Sequence, residues 1–238
     1  MKGTRVLAIV PAFNEGRSLG GVIAELFALD EPPDVLVVDD GSTDDTSEVA
    51  TKLGARVLAL PYNCGIGATV QAGLAWGLER GYEMVVRFDG DGQHDPRSLR
   101  ALRRAVDAGE ADFVVGSRYV RKAGFQSTFL RRFGSKWFAL LLRMLSGLKI
   151  TDPTSGCWVA NARAARVLRS VYSSDYPEVD ALIRLHRAGC TIKEESIEMR
   201  ARAEGRSSID AFRAVYYMLK VTIALVIGRI ESRAGETK

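Results

Sequence analysis

Short apolar runs alternate with longer amphipathic stretches along this chain. Arg5–Val10 (RVLAIV), Val35–Val38, Arg56–Leu60 and Met84–Phe88 are nearly unbroken in hydrophobicity. That is the mark of parallel strands buried on both faces, not of half-exposed strands with period two. Helical patterns follow them: one to about Leu29, one after the acidic stretch 39–46, one to about Arg80, and one opened by Pro96. The strand-helix unit thus repeats four times, and each polar signature comes straight after a strand. Right-handed crossovers collect such signatures at one edge of a parallel sheet. Further strands are expected at Phe113–Val115, Cys157–Ala160 and Lys193–Met199, with helices over Phe129–Leu148, from Tyr176 to about Ala188, and over Ile209–Ile230. The pattern predicts an α/β fold with a mostly parallel central sheet flanked by helices, residues 1–208 forming one domain and 209–238 an apolar, basic helix and tail.

Composition narrows the picture. The chain has 238 residues, 47% of them hydrophobic, enough for one full core. A formal charge of +4 is too small to imply nucleic acid, but the charge is unevenly placed. No acid lies between Asp112 and Asp152, an interval holding Arg118, Arg121, Lys122, Arg131, Arg132, Lys136, Arg143 and Lys149. Cys64, Cys157 and Cys190 are odd in number and far apart, and read as reduced thiols. The N-terminus runs into a strand without a signal-peptide core, and no uncharged run approaches the ~20 residues that span a bilayer. A cytoplasmic protein, free or peripheral at the membrane, is expected.

The densest chemistry is in Phe88-Asp89-Gly90-Asp91-Gly92-Gln93-His94-Asp95-Pro96. Two carboxylates separated by glycine can turn toward one ion, and a few hard oxygens suit Mg²⁺ or Mn²⁺, which complete their shell with water and a substrate diphosphate. An ordinary Asp-Gly surface turn uses the same letters. His94 adjoins the turn, as a second layer around an ion or as a solvent-facing loop residue. A dinucleotide site would need G-x-G-x-x-G after the first strand; Pro11-Ala12-Phe13-Asn14-Glu15 stands there, which argues against NAD. Gly65 and Gly67 read as helix-packing glycines, Ser42 or Thr43 as a helix cap, His186 as structural, and Trp76, Trp137 and Trp158 as packing or interface residues.

VPAFNE, VVDDGSTDDT, NCGIGATVQAG and FDGDGQHDP, in that order, resemble the family-2 glycosyltransferases of GT-A fold. VVGSRY, TDPTSGCWVANA and RAEGRSSI resemble the branch of dolichyl-phosphate mannose synthases and bacterial polyprenyl-phosphate glycosyltransferases. The resemblance covers about residues 5–210. It implies that Pro11, Phe13, Glu15, Val38 and Asp40 line the base and ribose of a GDP- or UDP-linked sugar, with Gly90 and Arg202 also on the nucleotide. It implies that Asp89, Asp91 and Gln93 surround Mg²⁺ or Mn²⁺. Two departures are visible: Phe13 stands where Tyr is frequent, and Gly65-Ile66-Gly67-Ala68 replaces GLGTA.

The acceptor side follows from the same resemblance. Arg118, Arg131 and Ser135 would hold the phosphate of a polyprenyl lipid, and Asp89, Asp91, Arg118 and Asp152 would form the catalytic set. The stretch 129–148 combines large apolar groups with cations and lacks acids, as an interfacial helix does; a core helix with a basic outer face has the same spacing. Arg200, Arg202, Arg206, Ser207 and Ser208 form a basic loop able to close over a diphosphate. The acids of 176–180 suit a helix N-terminus. The tail would lie on the membrane, in a homodimer interface, or against a small membrane protein. The implied reaction is inverting hexosyl transfer to dolichyl or undecaprenyl phosphate. Two alternatives stand beside it: transfer to a hydroxyl with Asp152 as base, or a non-catalytic nucleotide-sugar scaffold.

Overall fold

The computed structural model of the chain describes residues 4–120, 129–172, 177–200 and 218–223. Seven strands, β1 (Val6–Ala12), β2 (Asp34–Asp39), β3 (Arg56–Ala59), β4 (Met84–Arg87), β5 (Phe113–Ser117), β6 (Trp158–Asn161) and β7 (Ile192–Ser196), form one sheet in the order β3-β2-β1-β4-β6-β5-β7. The β1–β2, β1–β4, β2–β3 and β5–β7 pairs are parallel. Only β6 is reversed, antiparallel to both β4 and β5. Parallel strands bring the loops after them to the carboxyl edge, whereas a reversed strand brings the residues before it. Because Arg87 pairs with Trp158, residues 151–156 arrive beside the turn that follows Arg87. The chain steps outward from β1 to β3 and then returns to β4 on β1's other side. That makes the β1/β4 crevice the switch point where open α/β sheets bind ligands.

Helices cover both faces. On one, α1 (Gly16–Phe27), α2 (Thr46–Lys52) and α4 (Leu99–Asp107) pack over Val6, Ala8, Val10, Val35 and Val86. On the other, α3 (Ile66–Glu79), α5 (Phe129–Ser146), α6 (Ala162–Val171) and α7 (Pro177–Arg187) pack over Leu7, Ile9, Leu36, Val85 and Trp158. Every residue of β1 is buried, which explains its lack of alternation. Each fully buried aliphatic side chain contributes about 1.5–3 kcal/mol. The sequence reading gave no element between Ala160 and Tyr176, yet α6 is there. Its signal was the Asn161 cap, which accepts the Ala164 N–H at 2.9 Å, followed by Ala164, Ala165 and Leu168 facing inward between exposed arginines.

Two glycines of α3 press closely on β1. In α3 a Cβ on Gly73 would stand 2.8 Å from Ile9 Cγ2, and one on Gly77 would stand 2.7 Å from Leu7 Cδ2. Gly21, in α1, has nothing within 4 Å. Gly73→Ala is therefore expected to destabilise by about 1–3 kcal/mol through overpacking against β1. Gly21→Ala should stabilise by about 0.4–1 kcal/mol by restricting the unfolded chain. Urea unfolding of both variants checks the pair.

Candidate active site

The loops after β1 and β2 are sewn together by side chains. Asn14, in the left-handed region at φ 56° that Asn tolerates, donates its N–H to Ser42 Oγ (2.9 Å), and its Oδ1 accepts the Thr43 N–H (2.9 Å). The Glu15 N–H reaches Thr46 Oγ1 at 3.0 Å. Ser42 and Thr43 thus join loops and do not cap a helix; α2 follows Asp45 and has no side-chain cap. Asp40, buried, accepts the N–H groups of Cys64 (2.7 Å) and Gly65 (2.9 Å), drawing the third loop against the second. Gly65 serves this turn, at φ 85°, and not helix packing. Phe13, in the loop after β1, is 44% exposed. Val38 corrects its expectation: its side chain is wholly in the core and cannot touch a ligand.

The acidic turn is anchored beneath and behind. Asp89 Oδ1 accepts from Arg87 Nη2 at 3.0 Å, and His94 Nε2 lies 3.4 Å from Asp89 Oδ2. His94 is buried, so the solvent-facing alternative is overturned. Burial alone would raise the Asp89 carboxyl; Arg87 and then His94 outweigh it and hold it well below the usual carboxylate range. The side chain is still 31% exposed, so an ionised oxygen is reachable from the crevice. Asp91 Oδ1 accepts the Gln93 N–H at 3.0 Å, and Gly90 lies against the Pro11 backbone, where a Cβ would meet Pro11 O at 3.3 Å. Among the described residues no three His, Cys, Asp or Glu side chains form a metal cage. Two adjoining carboxylates on one turn fit instead a hard divalent ion that draws its other ligands from water and diphosphate.

Across the crevice, Arg118 and Asp152 meet as a fork. Arg118 Nε and Nη2 each lie 2.6 Å from Asp152 Oδ2 and Oδ1, and the Arg118 N–H also reaches Oδ2 at 3.1 Å. Ser135 Oγ donates to Oδ1 at 3.3 Å. Glu194 of β7 accepts the backbone N–H groups of Thr151 (2.9 Å) and Asp152 (2.8 Å), fixing the turn. Asp152 is completely buried, whereas Arg118 is 15% exposed. Burial would lower the Arg118 pKa, but Asp152 and, more weakly, Tyr119 and Asp89 raise it. Arg118 Nη1 has no hydrogen-bond partner among the described residues. Asp152 does not face a reacting centre, because both its oxygens hold Arg118.

Comparison with known proteins shows the family of the chain. Residues 7–169 match the family model described as Glycosyl transferase family 2. The chain belongs to that family. This glycosyltransferase is 33% identical to the polyprenol monophosphomannose synthase of Mycolicibacterium smegmatis, over 97% of this chain and 91% of the relative. It is 36% identical to the undecaprenyl-phosphate mannosyltransferase of Micrococcus luteus, over 86% of this chain and 87% of the relative. Its GT-A fold is shared with glucosyl-3-phosphoglycerate synthase from Mycobacterium tuberculosis, solved with Mn²⁺, UDP and glucosyl-3-phosphoglycerate. The TM-score is 0.73 at 24% identity, covering 95% of this chain and 80% of that one.

The glycosyltransferase brings Pro11, Phe13, Glu15, Asp40, Asp89, Gly90, Asp91, Gln93, Arg118, Ser135 and Asp152 to this carboxyl edge or the turns around it. Arg131 is in the first turn of α5, where side chains lie outside the described residues, and Arg202 and most of the tail also lie outside them. Arg200 is not free to close over a diphosphate: it pairs with Glu25 (2.8 Å) and Asp95 (3.1 Å), and its N–H donates to Gln93 O. Arg87 and Glu178 went unrecognised as parts of the site. A charged residue ending an otherwise apolar strand, two before Asp89, was the available signal.

Asp95 holds the far end of the turn, accepting from the Arg97 backbone and guanidinium and pairing with Arg200. The hydrogen bond from Arg97 leads in lowering its pKa, against burial. A depressed carboxylate stabilises the fold above its unfolded pKa of about 3.9, and that stability is lost as pH falls through the folded value. Asp95→Asn should therefore melt below the parent at neutral pH, with the gap closing in acid. Melting curves from about pH 3 to 7 test the sign.

Proposed function

We propose that this glycosyltransferase moves a hexose from a GDP- or UDP-linked donor onto the phosphate of a polyprenyl lipid, dolichyl or undecaprenyl, with inversion, at the cytoplasmic face of a membrane. The observation that carries this reading is the two-sidedness of α5. Its inner face places Ser135 on Asp152, next to the free nitrogen of Arg118. Its outer face bears Phe133 (51% exposed), Trp137, Leu140 and Met144 (62%) at i, i+4, i+7 and i+11, one stripe along the helix. Exposed Arg132, Lys136 and Arg143 run beside it. Leu219 and Ile223, also exposed, belong to a segment tied to α5 by Trp137 Nε1 donating to Thr222 Oγ1 at 3.0 Å. Among the described residues no helix is long and apolar enough to cross a membrane. An apolar stripe flanked by cations suits lying on an anionic lipid surface. Both curated relatives carry a polyprenyl acceptor in their names, and the solved neighbour binds Mn²⁺ with UDP, which favours the same chemistry here.

In this reading Phe13 stacks on the donor base, and Asp40 keeps the loops around the nucleoside in register. Asp89, Asp91 and Gln93 would hold Mg²⁺ or Mn²⁺, which when bound neutralises charge developing on the leaving diphosphate. Arg118, aimed by Asp152, presents Nη1 to the acceptor phosphate. A phosphate monoester has its second pKa near ~6, so its oxygen arrives ionised and needs no base. That agrees with Asp152 being enclosed and fully hydrogen bonded. The hydroxyl-acceptor alternative requires Asp152 as an accessible base and is disfavoured for the same reason.

The decisive experiment supplies labelled nucleotide sugars with dolichyl or undecaprenyl phosphate. Label extracted into organic solvent, and abolished by EDTA, is expected; label only in water-soluble product, or none, overturns the reading. Arg118→Ala would leave Asp152 buried without its partner and confuse stability with function. Arg118→Lys keeps the charge but loses the fork. It should raise acceptor KM about ten-fold, the loss of one charge-assisted contact of about 1.5 kcal/mol, with donor KM nearly unchanged.

The stripe has its own test. Replacing Phe133, Trp137 and Leu140 with Ser is expected to weaken sedimentation with anionic vesicles while leaving nucleotide binding intact. Equal vesicle binding by the triple variant would show that this face does not meet lipid.

A further inference from the structure

Two buried side-chain nitrogens lack a hydrogen-bond partner among the described residues, Arg87 Nε and His94 Nδ1, and both belong to the side chains that flank Asp89. Arg87 is the less expected of the two. It ends β4, is 3% exposed, and reaches into the helical layer of α6 and α7. A guanidinium there would be untenable alone. It lies 2.9 Å from Glu178 Oε1 of α7, 3.1 Å from the Tyr172 hydroxyl after α6, and 3.0 Å from Asp89 Oδ1. Burial pushes the Tyr172 phenol up to about 12, so it meets Arg87 as a neutral acceptor. Gly156 completes the arrangement. A Cβ there would stand 2.5 Å from Asp89 Oδ2 and 3.2 Å from Arg87 Nη2, so only glycine leaves room for the pair.

We infer that Arg87 is a positioning residue for sugar transfer: held from behind by Glu178 and Tyr172, it fixes the direction in which Asp89 presents its carboxylate to the donor's cation site. The inference rests on the donor chemistry proposed above. Asp89 needs an external restraint because its turn contains Gly90 and Gly92, the latter at φ 72°, and glycine leaves the backbone loose. Arg87 engages one oxygen and His94 approaches the other, so the carboxylate plane is set while each oxygen keeps a lone pair for a ligand. Glu178 has a second effect. It cancels the charge of Arg87, so that the negative charge of Asp89 remains available to a cation. Partners behind a metal ligand commonly govern affinity in this way.

The double variant Arg87→Met/Glu178→Met separates positioning from structure. It removes the buried pair without changing net charge, and replacement of such a pair by apolar side chains is close to neutral for stability. Arg87 lies between Glu178 and Asp89, so losing both brings no electrostatic penalty to a cation at the turn. Mn²⁺ affinity, measured by electron paramagnetic resonance with UDP or GDP present, should nevertheless fall about 10–100-fold, with the melting temperature near that of the parent. Arg87→Lys, which keeps a charge but cannot span three partners, should also fall, by less. Undiminished Mn²⁺ affinity in either folded variant overturns the assignment and leaves Arg87 a structural ion pair. If the parent binds Mn²⁺ with nucleotide but labels no polyprenyl phosphate, the acceptor reading fails while this test still reads out. A parent that binds no Mn²⁺ with either nucleotide refutes both.

Discussion

The direction of a single strand decides what this sheet can do. With β6 parallel, the turn 151–156 would lie at the amino edge, far from every other signature. Reversed between β4 and β5, it sets Asp152 beside the acidic turn and lets Gly156 nestle against Asp89. In the proposed function the donor side would be made by loops that follow parallel strands, and the acceptor side in part by a loop that precedes an antiparallel one. The crevice is the seam between them, and Arg87, paired in register with Trp158, stands on it.

Along that seam three carboxylates have cations assigned to them. Asp89 has Arg87, Asp152 has Arg118, and Asp95 has Arg97 and Arg200. Buried pairs of this kind are weak sources of stability, since the desolvation they require offsets most of their attraction. What they provide is direction. Charges fixed before substrate arrives need no reorganisation when charge moves in the reaction, which is where enzymes gain most electrostatically. The arrangement is asymmetric in a useful way: Asp152 is fully enclosed and serves Arg118, while Asp89 is partly open and is served by Arg87. One pair presents a cation to the crevice and the other an anion.

Much of this was legible in the residues. Unbroken apolar runs marked six strands by position; the 89–93 turn stood out by its paired carboxylates, and Phe13 and Asp40 were expected at the site through resemblance to the family. Local pattern could not reveal strand direction, so nothing in the sequence joined Asp152 to Arg118 across 34 positions; the family resemblance put both in one catalytic set without pairing them. Val38 was misjudged because a residue next to a binding loop need not point into it; in a strand buried on both faces it points to the core. Helix α6 was overlooked because arginine on three of its outward positions masked a narrow Ala-Ala-Leu inner face. Arg87 escaped because a cation ending a buried strand makes sense only once Glu178 and Tyr172, about ninety residues later, are seen beside it.

The two faces of α5 bear on how a modest phosphate grip can suffice. One free guanidinium nitrogen and a serine would hold a dissolved phosphate weakly. A lipid acceptor is already confined to the surface on which the apolar stripe would rest, and confinement raises its effective concentration at Ser135 without any added contact. Tight binding would also hinder release, because the glycosylated lipid keeps the same phosphate and the same anchor. Under the proposed function, a helix resting on the membrane with one side and closing the acceptor site with the other would let selectivity come from location, leaving Arg118 to orient a phosphate oxygen toward the sugar.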